Sequence, residues 1–432
     1  MADINSQNTQ TRFTSKQKII IGSIVVVLFI IIVFGGSFMK KFTATPTLKV
    51  WGIGINNDDW SRVASRFNYN KKTISVEYTE KNPDTYLQEL DTALKEGDAP
   101  DIFMINNLWI PSYKNIIVPL DLIDKNYNIN NIRKEFVPVV EQDCVEGNNL
   151  FGLPISVDTL ALYYNVNILD QLGIANIPST WNDITNNISI LRTVDQYNRI
   201  KRVAIPLGLA DNINHAADIL SALMLQQGLD IINKTTRTSD INNGIEALNF
   251  YTQFAKPSSL FYTWNSEFTN SLDSFAFGQS VFYIGYLRDA ELIKEKNPNL
   301  IFDIAEFPQS SKQNNKTTFA SYNVLVVSKQ STNPQIAWAF IKYLTTDDIT
   351  DQITSQANLL PSKRSLIEYY INMPLMSAFA KGALVAKTFY CPDYTQYEYL
   401  FNDTITNVAL KNMPVKDALD KLQTNLSYQL YK

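Results

Sequence analysis

Two kinds of side chain that commonly carry chemistry are scarce in this sequence of 432 residues. It contains two cysteines, Cys144 and Cys391, and a single histidine, His215. Two distant thiols do not make a disulfide framework, and one histidine gives them no metal-ligand spacing. The sequence therefore predicts no metal site. For the two thiols it leaves open either one bridge or two free groups.

The common catalytic motifs are also missing. Gly52 and Gly54 have no third glycine at position 57, where Asn57 stands, so a dinucleotide fingerprint is not supported. The sequence has no GxxxxGK[ST] phosphate loop and no GxSxG nucleophile elbow. His215 has no recognisable nucleophile beside it, and a helix start or the surface is its expected place. We predict no catalytic residue and no cofactor.

Positive charge is sparse outside the first 46 residues. Five of the 38 basic residues but only one of the 42 acidic residues lie in residues 1–46. The remainder therefore carries a formal charge of about −8, whereas nucleic-acid binding requires a basic face. We predict no nucleic-acid partner.

One long apolar run stands near the N-terminus. Residues 19–38 contain no charged side chain, and 20 residues in a helix span about 30 Å of hydrocarbon. A cleaved signal peptide is the alternative, but its apolar region is usually shorter and ends at small residues. Here Lys40 and Lys41 follow the run, and no cysteine is present for a lipid anchor. We predict a single-pass signal anchor in the cell membrane, with residues 1–18 in the cytoplasm and the folded domain outside.

The rest of the chain has a dense pattern of strands and helices around residues 151–184. This stretch reads FGLPISVDTLALYYNVNILDQLGIANIPSTWNDI, which predicts a strand, a polar break, a second strand and a capped helix. Thr180 and Asp183 have the spacing of a capping box. Ser156 and Asp158 place polar side chains inside an apolar run, as in a chain that crosses between two lobes.

Several segments in this order resemble one known family. They are the stretch above, GDAPDIFMINN at 97–107, AFGQSVFYIGYLRD at 276–289, ASYNVLVVS at 320–328 with NPQIAWAFIKYLTTDD at 333–348, and LPSK at 360–363. Together they resemble the family 1 extracellular solute-binding proteins, the maltose-binding-protein-like group of ABC importers. The resemblance covers about residues 47–432.

The resemblance implies an α/β, two-lobed periplasmic-binding-protein-like fold of type II, here preceded by the N-terminal transmembrane helix. Residues 39–46 would be a tether. The first lobe would contain residues 47–156 and 304–356, and the second residues 157–303 and 357–432. The two cysteines would then lie in different lobes, which favours two free thiols.

Polar and aromatic side chains on the predicted cleft loops are the candidate ligand-binding residues. Flat aromatic faces cover the apolar side of a sugar ring, and planar polar groups hold its hydroxyls. The candidates are Asn56, Asp58, Trp60, Asn106, Asn107, Trp109, Asp158, Asp211, Asn214, Tyr286, Arg288, Tyr394 and Tyr397. For each aromatic residue the alternative is core packing. For Asp158 the alternative is a hinge aspartate bonded to backbone.

The predicted function is capture of a small solute between the lobes and its delivery to ABC transporter permease subunits by a monomeric, membrane-anchored receptor. A sugar or oligosaccharide is the favoured solute. Leu287 and Arg288 stand where the maltose-binding relatives offer a tryptophan, so a maltodextrin is not implied and a charged small molecule held by Arg288 stays open. The alternatives are a surface-anchored carbohydrate-active enzyme, or a sensor or adhesion module with the same fold.

Overall fold

The computed structural model describes residues 46–197, 199–311 and 316–430. The predicted membrane anchor at residues 19–38 lies outside these residues. Among the helices that the structure does describe, none combines the length and the hydropathy that a membrane crossing requires.

Two lobes are built on two separate sheets. The strands are β1 (Thr47–Gly52), β2 (Asn68–Tyr69), β3 (Lys72–Thr73), β4 (Ser75–Glu80), β5 (Ile102–Asn106), β6 (Val145–Glu146), β7 (Asn149–Leu150), β8 (Ala161–Asn165), β9 (Thr193–Val194), β10 (Ile200–Arg202), β11 (Phe282–Gly285), β12 (Phe302–Glu306), β13 (Thr318–Phe319), β14 (Asn323–Val327) and β15 (Ala386–Lys387). The first-lobe sheet has the order β14-β5-β1-β4, and the second-lobe sheet the order β11-β8-β12. In the first sheet β1 runs parallel to β4 and β5, whereas β14 is antiparallel to β5. In the second sheet both neighbours of β8 are antiparallel to it.

Helices cover these sheets. They are α1 (Asn57–Ala64), α2 (Pro83–Glu96), α3 (Ile110–Tyr113), α4 (Ile129–Glu135), α5 (Pro138–Cys144), α6 (Val166–Gln171), α7 (Trp181–Asn186), α8 (Ile188–Leu191), α9 (Ala216–Gln226), α10 (Ile245–Thr252), α11 (Ser271–Ala276), α12 (Asp289–Lys296), α13 (Pro334–Leu344), α14 (Asp347–Gln356), α15 (Arg364–Tyr370), α16 (Ser377–Ala383), α17 (Tyr394–Ala409) and α18 (Val415–Leu430). Side chains from α1, α2, α13 and α14 join the core around the first sheet. Those from α9, α10, α17 and α18 form a second core.

Local chemistry explains where several of these helices begin and end. The predicted capping box of α7 is confirmed, because Asp183 N donates to Thr180 Oγ1 at 3.2 Å and Thr180 N donates to the Asp183 carboxylate at 2.9 Å. Helix α2 begins after Asn82, which accepts from Asp84 N, and ends at Gly97 with a φ of +79°. Glycine adopts this left-handed conformation at little energetic cost, so the helix can end there and the chain can turn toward β5.

Three segments lie where the sequence predicts crossings between the lobes. The first, near residue 156, contacts later segments through the bridges Leu153–Leu325, Ser156–Pro361 and Thr159–Ala320. Near the second predicted boundary, at residue 304, β12 pairs with β8 as far as residue 306. Beyond the third, at residue 357, α15 packs against α4 of the first lobe.

Both cysteines are free, as expected for thiols in different lobes. Cys144 belongs to the core of the first lobe and Cys391 to that of the second. Burial raises the pKa of each thiol well above its ordinary value, so neither forms a thiolate readily.

Candidate functional site

A cavity of about 820 Å³ lies between the two lobes. Residues 53–55 after β1 line it from the first lobe, and Ala290, Glu291, Lys294 and Glu295 of α12 line it from the second lobe. Residues 155–158 of the first crossing, together with residues 287–288, are called the cavity floor. A molecule that fills this cavity would therefore contact both lobes and the crossing between them.

The wall of the cavity is mainly aliphatic. The apolar lining residues are Ile53, Ile55, Met104, Ile155, Val157, Leu287, Ala290, Leu325, Ala357, Leu359, Leu360, Met373, Pro374, Leu375 and Met376. Among the described residues that line it, Tyr322 is the only aromatic one. It is 4% exposed and its hydroxyl donates to Asp143 at 2.7 Å, so it offers little ring surface for stacking.

Asp158 holds the loop that faces it across the cavity floor. Its Oδ1 accepts from Leu287 N at 2.9 Å and from Thr159 N at 2.8 Å, and its Oδ2 accepts from Arg288 N at 3.4 Å. Enclosure by both lobes raises the pKa of this carboxyl to about 7, although the Arg288 charge and the Leu287 N–H oppose the shift. Asp158 therefore joins the crossing to the second lobe and still lines the cavity.

Arg288 is a charged lining residue of the cavity. The residue is exposed, and its guanidinium lies 4.8 Å from the centre of the Tyr286 ring. Among the described residues it has no ion-pair partner, in contrast to Arg133 or Arg237, which pair with glutamates at 2.8 and 2.9 Å. The charge of Arg288 is therefore available to a molecule in the cavity.

A buried network of polar side chains fixes the loop that carries Arg288. The Asp289 carboxylate accepts from Tyr283 Oη at 2.8 Å and from Tyr286 N at 3.0 Å, and lies 2.9 Å from His215 Nε2. Burial alone would raise the pKa of Asp289, but the neighbouring His215 and Arg288 hold it below its ordinary value. A hydrogen-bonded carboxylate of this kind keeps the loop in one geometry.

A second carboxylate extends this network. Asp218 accepts from Tyr286 Oη at 2.8 Å and from Tyr394 Oη at 3.1 Å. Burial raises the pKa of Asp218, while the nearby His215 and the two tyrosine hydroxyls oppose that shift. The ring of Tyr286 is thus fixed at its hydroxyl end, and Arg288 lies over a ring that cannot turn freely.

The first-lobe candidates mostly lie away from the cavity. Asn56 is exposed and caps α1 by accepting from Asp59 N at 2.9 Å, and Asp58 is exposed in the first turn of α1. The prediction that Trp60 faces a ligand is wrong in this structure. Its side chain is fully buried and stacks on Tyr78 at 4.5 Å, because the periodicity of α1 directs it into the core.

The candidates after β5 are used mainly within the protein. Asn106 donates to Ser321 Oγ at 3.0 Å, and Trp109 packs partly buried against the first core with no hydrogen-bond partner for Nε1 among the described residues. Asn107 donates to the Asp143 carboxylate at 2.7 Å and lines a smaller interlobe cavity of about 210 Å³. None of the three lines the larger cavity.

In the second lobe the structure brings one candidate to the larger cavity. Arg288 lines it, whereas Asp211 is exposed elsewhere and Asn214 bonds to Ser271. Tyr286 and Tyr394 serve the network behind Arg288 rather than stack on a ligand. Tyr397 is 2% exposed and bonds to Ser221 at 2.8 Å, so its prediction as a cleft residue is wrong and its alternative, core packing, holds.

Sequence reasoning missed most of the cavity wall and the role of His215. Aliphatic and methionine side chains carry no chemical signal that separates a cavity wall from a core. The only sequence signal that links His215 to the site is indirect. Its partner Asp289 directly follows the candidate Arg288, but the sequence does not show that His215 and Asp289 are in contact.

The fold and the cavity define a two-lobed binding protein with its site between the lobes. Residues 62–378 match the family model described as bacterial extracellular solute-binding protein. The chain belongs to this family. Its members, and the structures that resemble it, are binding proteins rather than enzymes.

Relatives with known names are distant but match over most of their length. A binding protein of Brucella abortus is 23% identical over 340 residues, which is 76% of this chain and 78% of the relative. The diacetylchitobiose binding protein DasA of Streptomyces coelicolor is 22% identical over 330 residues, which is 75% of each protein.

Solved structures with the same fold include several solute receptors. The solute-binding protein of an ABC transporter from Thermotoga lettingae, bound with α-D-tagatose, has a TM-score of 0.71 and 21% identity, covering 89% of this chain and all of that one. The sugar-binding protein MalE of Xanthomonas citri has a TM-score of 0.73 and 18% identity, covering 89% and 97%. UgpB of Mycobacterium tuberculosis, in complex with glycerophosphocholine, has a TM-score of 0.71 and 17% identity, covering 90% and 99%.

Proposed function

We propose that this protein captures a small solute in the cavity between its lobes and delivers it to the permease subunits of an ABC importer. The observation that carries the proposal is the cavity of about 820 Å³, which takes its lining from both lobes and from the crossing. A solute that contacts both walls favours the closed arrangement over the open one, so binding shifts the population toward closure. The closed form is the one that would dock on the permease.

A saccharide is the proposed class of solute. Relatives with the same family or fold bind tagatose, maltotetraose and diacetylchitobiose according to their descriptions. We also propose that residues 19–38 anchor the protein in the cell membrane as a monomer, with the lobes outside. Protease added to intact cells should then degrade the lobes, and protection of the lobes would contradict this orientation.

Thermal unfolding of the full-length chain, purified in mild detergent, tests solute capture. A ligand that binds only the native state stabilises it by RT ln(1 + [L]/Kd), so the melting temperature keeps rising with ligand concentration. We expect at least one member of a panel of mono- and oligosaccharides to raise it in a concentration-dependent manner. The variant Leu287→Glu places a charge in the cavity wall and should reduce the ligand-induced rise in melting temperature.

The same samples separate this function from the alternatives. Products released from a glycan during incubation would indicate a carbohydrate-active enzyme and contradict the receptor. A sensor or adhesion module would be favoured if the protein binds a solute but cells that lack the protein take up that solute as well as wild-type cells do.

A further inference from the structure

We propose that the solute carries an anionic group, a carboxylate or a phosphate, and that Arg288 binds this group on the cavity floor. This inference rests on the proposed function, because it names the class of solute for the same cavity. It is supported by the position of Arg288, by the side chains that hold it, and by the lack of stacking surface around it.

Arg288 is placed as a binding group rather than as part of the scaffold. It lines the cavity, its side chain is exposed, and it has no ion-pair partner among the described residues. An arginine presents its N–H groups in a fixed fork that matches the two oxygens of a carboxylate or phosphate. By contrast, Arg237 forms an ion pair with Glu146 of the first lobe at 2.9 Å.

The backbone around Arg288 is fixed before any solute arrives. Its N–H donates to Asp158, the preceding N–H donates to the same carboxyl, and the following residue, Asp289, bonds to Tyr283 and Tyr286. Tyr286, whose ring lies under the guanidinium, is itself held by Asp218. A binding group that is already ordered loses less conformational entropy when the ligand binds.

The remaining wall suits an anchored solute better than a neutral sugar held by stacking. Sugar rings are commonly bound by exposed aromatic faces, but Tyr322 is the only aromatic lining residue that the structure describes and it is 4% exposed. Asp158, a predicted ligand-binding residue, already accepts three backbone N–H groups. A charge-assisted pair with Arg288 would provide the affinity that stacking does not.

Acids near Arg288 offset part of its positive charge. Burial raises the pKa of Asp158 to about 7, so this carboxyl is largely protonated in mildly acidic solution. Burial alone would raise the pKa of Asp289 too, but His215 and Arg288 hold it below its ordinary value, so this neighbour of Arg288 is ionised. The other charged lining residues, Glu291, Lys294 and Glu295, are exposed on α12 and carry charges of both signs. Arg288 and Lys294 are the basic residues among the described lining residues, and of the two it is Arg288 that the buried network fixes in place.

Calorimetric titration of the full-length chain with matched pairs of solutes tests the proposal. The pairs are galacturonate with galactose, trigalacturonate with galactotriose, and glucose 6-phosphate with glucose. We expect an anionic member to bind at least about 10-fold more tightly than its neutral partner, and Arg288→Gln to weaken that binding about 10- to 100-fold. Arg288→Lys should recover part of the loss. Lys294→Gln, which removes another positive charge from the same cavity, should change the affinity less than about 3-fold.

The possible failures are distinguishable. A neutral sugar that binds as tightly as its anionic partner, with an affinity that Arg288→Gln leaves unchanged, would overturn this inference while the proposed function stands. An equal loss of affinity in Arg288→Gln and Lys294→Gln would show a general charge effect and also overturn it. Absence of binding by every member of every pair would contradict both the inference and the proposed saccharide receptor. Thermal unfolding of each variant identifies any that fails to fold, and Arg288→Lys then serves in place of Arg288→Gln.

Discussion

Asp158 has both a structural role and a place in the cavity lining. Its oxygens accept backbone N–H groups from the loop of Arg288, as a structural hinge residue would, and it also lines the cavity. A carboxyl that links the crossing to the second lobe couples its own protonation to the stability of the assembled site. This coupling makes a prediction that does not depend on the identity of the solute.

Replacing Asp158 by asparagine should remove part of the pH dependence of stability. The folded protein raises the pKa of Asp158 from 3.8 to about 7, so between these values the folded state keeps a proton that the unfolded state has lost. Stability from this group is therefore fully present below pH 4 and is lost as the pH rises toward 7. Urea unfolding should show wild type losing about 3 kcal/mol relative to Asp158→Asn between pH 4.5 and pH 7.5.

Asp211→Asn is the control for this experiment, because it removes an exposed carboxyl of the same lobe. It should follow the wild-type curve across the same pH range. If Asp158→Asn also follows the wild-type curve, the carboxyl does not titrate in this range in the folded protein.

At the residue scale the sequence shows which side chains could bind a solute, but not which of them are exposed to the cavity. Arg288 and Asp158 were predicted for the cleft, and both line the cavity. Trp60 and Tyr397 were predicted for it and lie in the two cores. An aromatic side chain packs equally well in a core or against a sugar ring, so the residue type alone does not distinguish core packing from ligand binding. Charge alone is also no sufficient guide, because Asp58 and Asp211 were predicted for the cleft and neither lines the cavity.

At the scale of elements, the strand β11 and the helix α12 are joined by a turn with almost no spare room. A Cβ atom built on Gly285 would contact Asp289 Oδ2 and the Tyr283 ring at distances that no real side chain adopts. Asp289 cannot move aside easily, because it bonds to three neighbours. The sequence predicts that Tyr286 and Arg288 lie on a cleft loop, but it does not predict the contact that requires the glycine.

Gly285→Ala should therefore displace the loop that carries Arg288. We expect a loss of about 1 to 3 kcal/mol in the free energy of unfolding, as for other overpacked buried sites, together with weaker solute binding. Urea unfolding and calorimetric titration measure the two effects. Gly278→Asn is the matched control, because Gly278 has a φ of +72° and an added Cβ meets nothing closer than 3.9 Å. Asparagine tolerates that conformation, so this variant should stay close to wild type. Wild-type stability and binding in Gly285→Ala would show that the turn yields without effect on the site.

The boundaries between the lobes are harder to predict from sequence than the order of the elements. Near the predicted second and third crossings, β12 is paired with β8 to residue 306 and α15 packs on the first lobe. Periodicity reports which face of an element is buried, but it does not report which lobe buries it. That choice depends on partners far away in the sequence.

At the scale of the whole molecule, the cavity belongs to neither lobe alone. Residues 53–55 reach it from the first lobe and residues 287–295 from the second, and the crossing at 155–158 joins the two walls. The order of segments in the sequence predicts this two-lobed arrangement. It could not predict the aliphatic wall, which arises only when residues 53–55, 287 and 373–376 meet in three dimensions.

A bound solute should stabilise both walls together. Hydrogen exchange of the full-length chain, with the solute that gives the largest rise in melting temperature, measures this because amide protection reports local opening. We expect exchange to slow at Ile53 and Ile55 and, in the same titration, at Leu287 and Arg288. Slowing in α18, which lies in the second core and does not line the cavity, should be smaller and should reflect only the global gain in stability. Protection confined to one lobe would mean that the solute binds a single wall, and closure between the lobes would then not accompany binding.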